Sequence, residues 1–295
     1  MSGTVADRYP AAMSGNANDA IAAAWRESAR FWEQYRDHLL TMLAPLTAAI
    51  VADAAIAEGD TILDAAGGPG EPALTVARYV GERGRVVTTD IAPEMVAASR
   101  RASERTRASN LRFAVCSAQA LPFADRAFDG VVCRLGIMFV PDPIAALRDM
   151  ARVTKPGGRV CLVVWGAHEH NPYFRVPSAA LAAYLPSEPD PPGAPGAWRY
   201  SEAGSLADDA RAAGLDSVVE RALSFAIELP IDFEAFWPMR IELSDTLRAK
   251  IARLDERARR NVTEAVRDAT ASYFHDGRMS MPAEARIVRG TVAPA

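Results

Sequence analysis

The chain has 295 residues, which allows one domain or two, and 49% of them are hydrophobic, so a full α/β core can be buried. A net charge of −4 argues against a nucleic-acid partner, because such proteins normally present a basic face. Three cysteines without metal-ligand spacing favour reduced core thiols and a cytoplasmic location. We find no leader pattern and no apolar run long enough for membrane insertion, and therefore expect a soluble protein.

The first 57 residues are expected to hold a lead-in and a helical cap. Residues 1–17 are rich in small and polar residues and are expected to be flexible. Within residues 18–57, Ile21, Trp25 and Trp32 share one stripe of a helical pattern, and a second helical pattern follows. We interpret residues 18–57 as N-terminal cap helices.

Strands and helices alternate from residue 58 to residue 165. The predicted strands are 61–64, 85–90, 111–115, 129–134 and 159–165, and the predicted helices are about 71–80, 93–107 and 142–153. Such alternation predicts an α/β fold with a doubly wound, seven-stranded, mostly parallel sheet. Ligands of these sheets bind at the carboxyl ends of the strands.

The alternation stops after Trp165. Two segments, 166–200 and 230–282, are too long to be connectors in a compact sheet. We interpret the first as a substrate-cap insertion and the second as a helical lid insertion. The predicted division of the rest is 58–165 for the cofactor-binding core, 201–229 for a core helix (about 201–213) and strand six (218–227), and 283–295 for strand seven (285–292) and the C-terminus.

A glycine-rich turn follows the first strand of the core. The strand ends at Asp64, and glycines follow at positions 67, 68 and 70 before helical sequence begins. Glycine lets the backbone approach a ligand without an intervening side chain, which is typical of nucleotide-like ligands.

The residues around this turn distinguish between two ligand classes. A dinucleotide fingerprint requires a third glycine that is missing here, and Glu71 would repel a pyrophosphate. A carboxylate favours a cationic cofactor, and S-adenosyl-L-methionine (SAM), with its sulfonium and ammonium groups, fits. Asp90, at the end of the second strand, can accept hydrogen bonds from ribose hydroxyls in either class.

Four segments, in this order, resemble motifs of the class I SAM-dependent methyltransferases. They are Ile62 to Gly70 (ILDAAGGPG), Thr88 to Met95 (TTDIAPEM), Ala118 to Phe123 with Phe128 to Val132 (AQALPF and FDGVV), and Lys155 to Arg159 (KPGGR). The most similar branch is the ubiquinone/menaquinone biosynthesis C-methyltransferases, which act on small molecules. The resemblance implies a Rossmann-like fold with SAM as the cofactor.

The resemblance also implies the residues of the cofactor site. They are Asp64, Gly68, Gly70, Asp90, Ile91, Met95, Ser117, Ala118, Cys133 and Arg134. Asp64 is expected to orient the loop and bind the SAM ammonium, or only to accept hydrogen bonds from loop amides. Asp90 is expected to hold the ribose. Ser117 stands where related sequences usually carry an Asp that accepts a hydrogen bond from the adenine amino group, a change that costs about 1 kcal/mol of cofactor affinity.

The group that activates the methyl acceptor stays open at this point. His168, His170, Tyr173 and His275 are the catalytic candidates, and a solvated loop is the alternative for the first two. Methyl transfer is an in-line displacement, so alignment supplies much of the acceleration and a base is needed only when the acceptor loses a proton. The His-x-His pair has no third ligand in view, so we expect no metal.

The sequence therefore predicts a SAM-dependent methyltransferase that modifies carbon, oxygen or nitrogen of a small metabolite. Aromatic residues concentrate in the expected cap, which indicates an apolar or aromatic acceptor, and Arg134 is a candidate for binding an anionic one. A SAM-binding protein without catalysis is one alternative, and Ser117 gives it slight support. An NAD(P)-dependent oxidoreductase is the other, and Glu71 argues against it. The sequence is compatible with a homodimer.

Overall fold

The computed structural model describes residues 16–186, 191 and 193–294. The expected flexible lead-in, residues 1–17, lies outside the described residues except for its last two. The helices are α1 Asn16–Gln34, α2 Arg36–Met42, α3 Ala44–Asp53, α4 Ala73–Val80, α5 Pro93–Thr106, α6 Pro143–Val153, α7 Pro172–Ala182, α8 Ser205–Ala212, α9 Phe233–Glu242, α10 Asp245–Ala252 and α11 Glu256–Thr270. The strands are β1 Thr61–Asp64, β2 Arg85–Asp90, β3 Leu111–Val115, β4 Phe128–Arg134, β5 Thr154–Trp165, β6 Asp216–Leu229, β7 Phe274–His275 and β8 Arg278–Thr291.

One sheet contains all of these strands. Its order is β3-β2-β1-β4-β5-β8-β6, and the two-residue β7 pairs with β8 off this path. The first five strands run parallel, whereas β8 is antiparallel to both β5 and β6. The predicted doubly wound, mostly parallel sheet is confirmed. The strand order reverses between β1 and β4, and at such a switch point a crevice opens outside the carboxyl ends of the strands.

The central strands are buried on both faces because helices cover the sheet from both sides. Residues 160–164 of β5 are all fully buried, and they form the continuous apolar run typical of central parallel strands. The helix that connects β4 to β5 begins with a favourable cap, since the Asp142 side chain accepts a hydrogen bond from the Ala145 amide.

Several strand boundaries differ from those predicted, and the two largest differences are at the starts of β5 and β8. β5 begins at Thr154 rather than at residue 159, because Thr154 pairs with Phe128 before a register shift. β8 begins at Arg278 rather than at residue 285, so residues 278–282 of the predicted lid belong to the sheet, where Met279 pairs with Leu229. This part of β8 alternates between exposed and buried residues, as strands do, but it contains a proline, which in a sequence argues against a central strand.

The helices after β5 and β6 lie over the sheet and share an aromatic cluster. Phe236 of α9 is fully buried, and its ring contacts Tyr173 of α7, Phe233 of α9 and Phe274 of β7. This cluster joins the two segments that were predicted to be insertions. Among the described helices, none combines the length and the apolar character needed to span a bilayer.

Replacement of Phe236 by alanine tests this packing. We expect Phe236→Ala to lower the free energy of unfolding by about 3–5 kcal/mol, because it leaves a cavity among buried rings. Tyr79→Ala is the control: Tyr79 is 54% exposed, and its truncation should change stability by about 0.5 kcal/mol or less. Urea denaturation measures both, and equal effects would contradict the packing described for α9.

Candidate functional site

A cavity of about 990 Å³, including its open mouth, lies at the switch point of the sheet. We call it the first cavity. Four loops that follow β1 to β4 and two N-terminal helices enclose it. Its lining includes Asn18, Trp25, Trp32, Arg36, Gly67, Gly68, Glu71, Asp90, Ile91, Met95, Cys116, Ser117, Ala118, Arg134, Leu135, Gly136 and Phe139.

The glycine turn after β1 presents its backbone to this cavity. The Gly67 amide donates a hydrogen bond to Thr89 O over 2.8 Å, which ties the turn to β2. A Cβ at position 67 would overlap the side chains of Asp64 and Thr88, whereas a Cβ at Gly68 would meet nothing within 4 Å. The turn is thus packed tightly on its inner side and left open on its outer side, where a ligand can approach the main chain.

Asp64 lies beneath the turn rather than in the cavity wall. It is fully buried, its Oδ2 accepts a hydrogen bond from Thr88 Oγ1 over 3.2 Å, and its Oδ1 has no partner among the described residues. Burial raises the pKa of Asp64 to about 7, although the positive charge of Arg134 opposes the rise. The carboxylate is thus bonded to β2 and does not line the cavity, and its role in orienting the turn stays a prediction.

Asp90 lines the cavity and holds the opposite side of the turn. Its Oδ2 accepts a hydrogen bond from the Gly68 amide over 3.1 Å, and its Oδ1 accepts one from the Ala92 amide over 2.9 Å. Burial raises the pKa of Asp90 to about 6, and the amide hydrogen bonds limit the rise. Each carboxylate oxygen keeps a second lone pair, so a pair of ligand hydroxyls can still be accepted.

The other predicted cofactor residues divide into two groups. Ile91, Met95, Ser117 and Ala118 line the first cavity. Gly70 and Cys133 do not, which corrects the expectation for these two positions. A Cβ at Gly70 would lie 3.2 Å from Leu74 Cδ1, so this residue faces α4. The Cys133 side chain is fully buried, with its Sγ beside Gly136, a residue of the cavity wall.

Arg134 also lines the first cavity, but its guanidinium is already engaged. Nη1 donates to Thr47 Oγ1 over 2.6 Å and Nη2 donates to Glu71 O over 2.9 Å. The carboxylates of Glu71 and Asp64 supply the nearby negative charges. Arg134 therefore fastens the glycine turn to α3, which differs from the expectation that it serves an anionic acceptor.

A second cavity of about 1910 Å³, including its open mouth, adjoins the first. We call it the second cavity. Trp25, Trp32, Leu135 and Phe139 belong to the walls of both. The Trp25 ring packs edge-on against Trp32 at 5.5 Å and against Phe139 at 5.1 Å, so aromatic side chains form the partition between the two cavities.

Of the four catalytic candidates, Tyr173 lines the second cavity, and its hydroxyl is buried without a partner among the described residues. His168 packs edge-on against Trp198, a residue of the same wall, and burial lowers the pKa of this histidine. His170 Nδ1 lies 2.7 Å from Glu284 Oε2, and His275 Nε2 lies 2.9 Å from Ser272 O. The three histidines line neither cavity.

Several lining residues were not selected from the sequence. The spacing of Trp25 and Trp32 places them on one stripe of α1 and indicates that they are buried. Such a stripe is equally compatible with simple core packing, so it did not identify a cavity wall. Asn18 and Arg36 carried none, since single polar residues on helices are usually solvated. Asn18 Oδ1 is nevertheless buried without a partner among the described residues, and it lies in the wall of the first cavity.

The charged and apolar side chains that line the first cavity fit SAM. Glu71 and Asp90 supply negative charge for a sulfonium and an ammonium group, and the Asp90 carboxylate can accept hydroxyls of a ribose. The apolar side chains of Ile91, Met95 and Ala118 offer a surface for a flat base. The unpartnered Oδ1 of Asn18 lies in the cavity wall and is an acceptor that a bound ligand or its waters can satisfy.

Comparisons with known proteins agree with this geometry. Residues 46–186 match the model of the ubiE/COQ5 methyltransferase family. An uncharacterised protein of Mycobacterium tuberculosis is 36% identical over 146 residues, which is 50% of this chain and 51% of that protein. The ubiquinone/menaquinone biosynthesis C-methyltransferase UbiE of Cellvibrio japonicus is 43% identical over 114 residues, or 38% of this chain and 45% of the relative.

A solved structure extends the likeness of the fold beyond the matched segment. The YcgJ protein of Bacillus subtilis superposes with a TM-score of 0.55 at 19% identity, over 84% of this chain and 98% of that one. The chain spans about half the length of the curated relatives it matches. Residues 46–186 are thus similar to methyltransferases of the ubiE/COQ5 family.

Proposed function

We propose that this protein transfers a methyl group from SAM to a small, largely apolar or aromatic molecule bound in the second cavity. The observation that carries the proposal is the shared wall: a SAM-compatible cavity and a large aromatic cavity adjoin at Trp25, Trp32 and Phe139. Methyl transfer requires the donor and the acceptor to meet in line, and two adjoining cavities allow this without exposure to water.

Each part of the chain has a role in this proposal. When bound, SAM supplies an electrophilic methyl group on its sulfonium. The backbone of the glycine turn and the Asp90 carboxylate would hold the cofactor, with Ser117 accepting a hydrogen bond from the adenine amino group. The aromatic partition would align the acceptor and exclude water.

The cap segments support the proposed division of the chain. Trp165, at the end of β5, and α7, α9 and α10 contribute to the wall of the second cavity, and α1 contributes to both cavities. We therefore propose that residues 18–57, 166–200 and the helices of 230–277 form the acceptor site over the SAM-binding core. Of the four catalytic candidates, Tyr173 is proposed to contact the acceptor, because it alone lines a cavity. Burial raises the pKa of its phenol, so at neutral pH its hydroxyl would donate a hydrogen bond to the acceptor rather than take a proton from it.

Removal of the Asp90 carboxylate tests the cofactor site. We expect Asp90→Ala to weaken binding of S-adenosylhomocysteine by about 2–3 kcal/mol, roughly a factor of 30 to 150 in Kd, because hydrogen bonds from the ribose to a charged acceptor are lost. Glu82→Ala, at an exposed site outside the first cavity, is the matched control and should bind like the wild type. Isothermal calorimetry measures all three proteins. Absence of binding to the wild type would refute the proposal.

Cofactor affinity should also depend on pH. The pKa values of about 7 for Asp64 and about 6 for Asp90 mean that both carboxyls of the ligand-free protein ionise at higher pH than in the unfolded chain. As the pH rises from about 4 to about 7, ionisation of these carboxyls therefore lowers the free energy of unfolding of the ligand-free protein. The same ionisation adds negative charge that attracts a cationic ligand. We expect SAM affinity, measured by calorimetry, to rise between about pH 5 and about pH 8. Asp90→Asn should reduce this rise, and an unchanged pH profile in that variant would exclude Asp90 as a source.

Ser117 provides a test of the adenine contact. A carboxylate at this position should accept a stronger hydrogen bond from the adenine amino group, so Ser117→Asp should strengthen S-adenosylhomocysteine binding by about 1 kcal/mol. The neutral variant Ser117→Asn is the control for side-chain size. Weaker binding in the aspartate variant would show that repulsion from nearby carboxylates, Asp90 among them, outweighs the new contact.

Two outcomes would favour the alternatives. Cofactor binding without formation of S-adenosylhomocysteine across a broad acceptor panel would favour a catalytically silent SAM-binding protein. Tight binding of NAD(P)H in a fluorescence titration, with no response to SAM, would favour an oxidoreductase. The negative charge of Glu71 in the cavity wall argues against that second outcome.

A further inference from the structure

The second cavity contains a buried cation that forms no salt bridge with any of the described residues. Arg240 of α9 is 6% exposed and lines this cavity. Its Nε donates to Tyr173 O over 3.0 Å, and no carboxylate among the described residues forms a salt bridge with it. Burial lowers the pKa of the Arg240 guanidinium, yet its usual value of 12.5 leaves it charged at neutral pH.

Ring stacking offsets only part of the free-energy cost of burying the Arg240 guanidinium. The Arg240 Cζ lies 4.9 Å from the ring centroids of both Tyr173 and Phe174, which is favourable for the face of the guanidinium. The in-plane N–H groups of the two Nη nitrogens are not satisfied by stacking, and they have no hydrogen-bond acceptor among the described residues. An unpaired buried guanidinium is expensive, and the planar fork of two N–H groups matches a carboxylate.

A second orphaned donor lies on the same wall. The Tyr173 hydroxyl is buried without a partner among the residues that the structure describes, and Tyr173 is 3% exposed. Tyr173 and Arg240 both line the second cavity but not the first. Asp245 also lines the second cavity, yet it is exposed and its Oδ1 already accepts the Thr246 amide, so it does not neutralise this wall.

We propose that the second cavity binds a methyl acceptor that carries a carboxylate, and that Arg240 and the Tyr173 hydroxyl bind this carboxylate. The inference rests on the proposed function for the identity of the occupant as the acceptor. Trp165, Phe174 and Leu181 form an apolar wall for the body of the molecule. The acceptor lies with its charged end at α9 and its apolar end toward the aromatic partition. Arg240 here is a specificity-determining residue, in place of Arg134, whose two Nη nitrogens donate to Thr47 and to the Glu71 carbonyl.

Two matched pairs of probes test this assignment: 2-naphthoate with its neutral amide 2-naphthamide, and benzoate with benzamide. The tryptophans in the cavity wall report binding by fluorescence quenching. The wild type should bind each carboxylate more tightly than its amide. Arg240→Met should remove that preference, with a loss of about tenfold or more in carboxylate affinity and little change for the amide. Arg240→Lys should retain part of the preference, since it keeps the charge without the fork, and Tyr173→Phe should reduce carboxylate affinity by a smaller factor.

Arg175→Met is the control, because Arg175 lies on the exposed side of α7 and lines neither cavity. It should behave like the wild type with all four probes. Calorimetry with S-adenosylhomocysteine checks that each variant is folded with an intact first cavity. A wild type that binds carboxylate and amide equally, or binds neither at millimolar concentration, overturns the inference, as does an Arg240→Met variant that retains the preference. Failure of the wild type to bind S-adenosylhomocysteine overturns the proposed function instead. A preference for carboxylates that Arg240→Met removes would still support an anion site in the second cavity.

Discussion

The burial of Asp64 and Asp90 at the carboxyl ends of adjacent strands is the constraint on which the site depends. Burial of charge is costly, and the protein offsets the cost with amide donors from Gly68 and Ala92 and with the charge of Arg134. The offset is incomplete, since both carboxyls keep raised pKa values. The same bonds that stabilise the carboxylates fix the glycine turn, so the shape of the first cavity and its preference for a cationic ligand have one origin.

The two cavities differ in how their arginines are compensated. Arg134 donates to Thr47 and to the Glu71 carbonyl, close to two carboxylates, and thereby acts as a structural clamp. Arg240 packs against two aromatic rings and forms no salt bridge with a carboxylate among the residues described. One chain thus presents an excess of buried negative charge on one side of an aromatic partition and a buried positive charge on the other. A cationic cofactor and an anionic acceptor are the ligands that complement this polarity.

Much of the fold was predictable because the informative signals are local. The boundaries of β1, β2 and β3 agree with those predicted, since each is a short apolar or β-branched run that ends at a polar turn residue. The roles of single residues were less predictable where they depend on which way a side chain points from its strand or helix. Cys133 and Arg134 are adjacent in β4, yet alternation along a strand sends one side chain into the core and the other toward the cavity. Arg240 could not be selected, because an isolated arginine on a helix usually lies in solvent, and only the packing of α7 against α9 buries it.

The partition between the cavities links the N-terminal helices to the chemistry of the core. Trp25 and Trp32 come from α1, whereas Phe139 comes from the turn that follows β4. The sheet alone therefore supplies a cofactor cradle with one open side, and α1 closes it. In the proposed reaction the methyl group must pass at this partition, since it is the wall that both cavities share. An acceptor held by its carboxylate at α9 would have its distal atom directed there, so the distance between Arg240 and the aromatic partition would set the length of acceptor that can react.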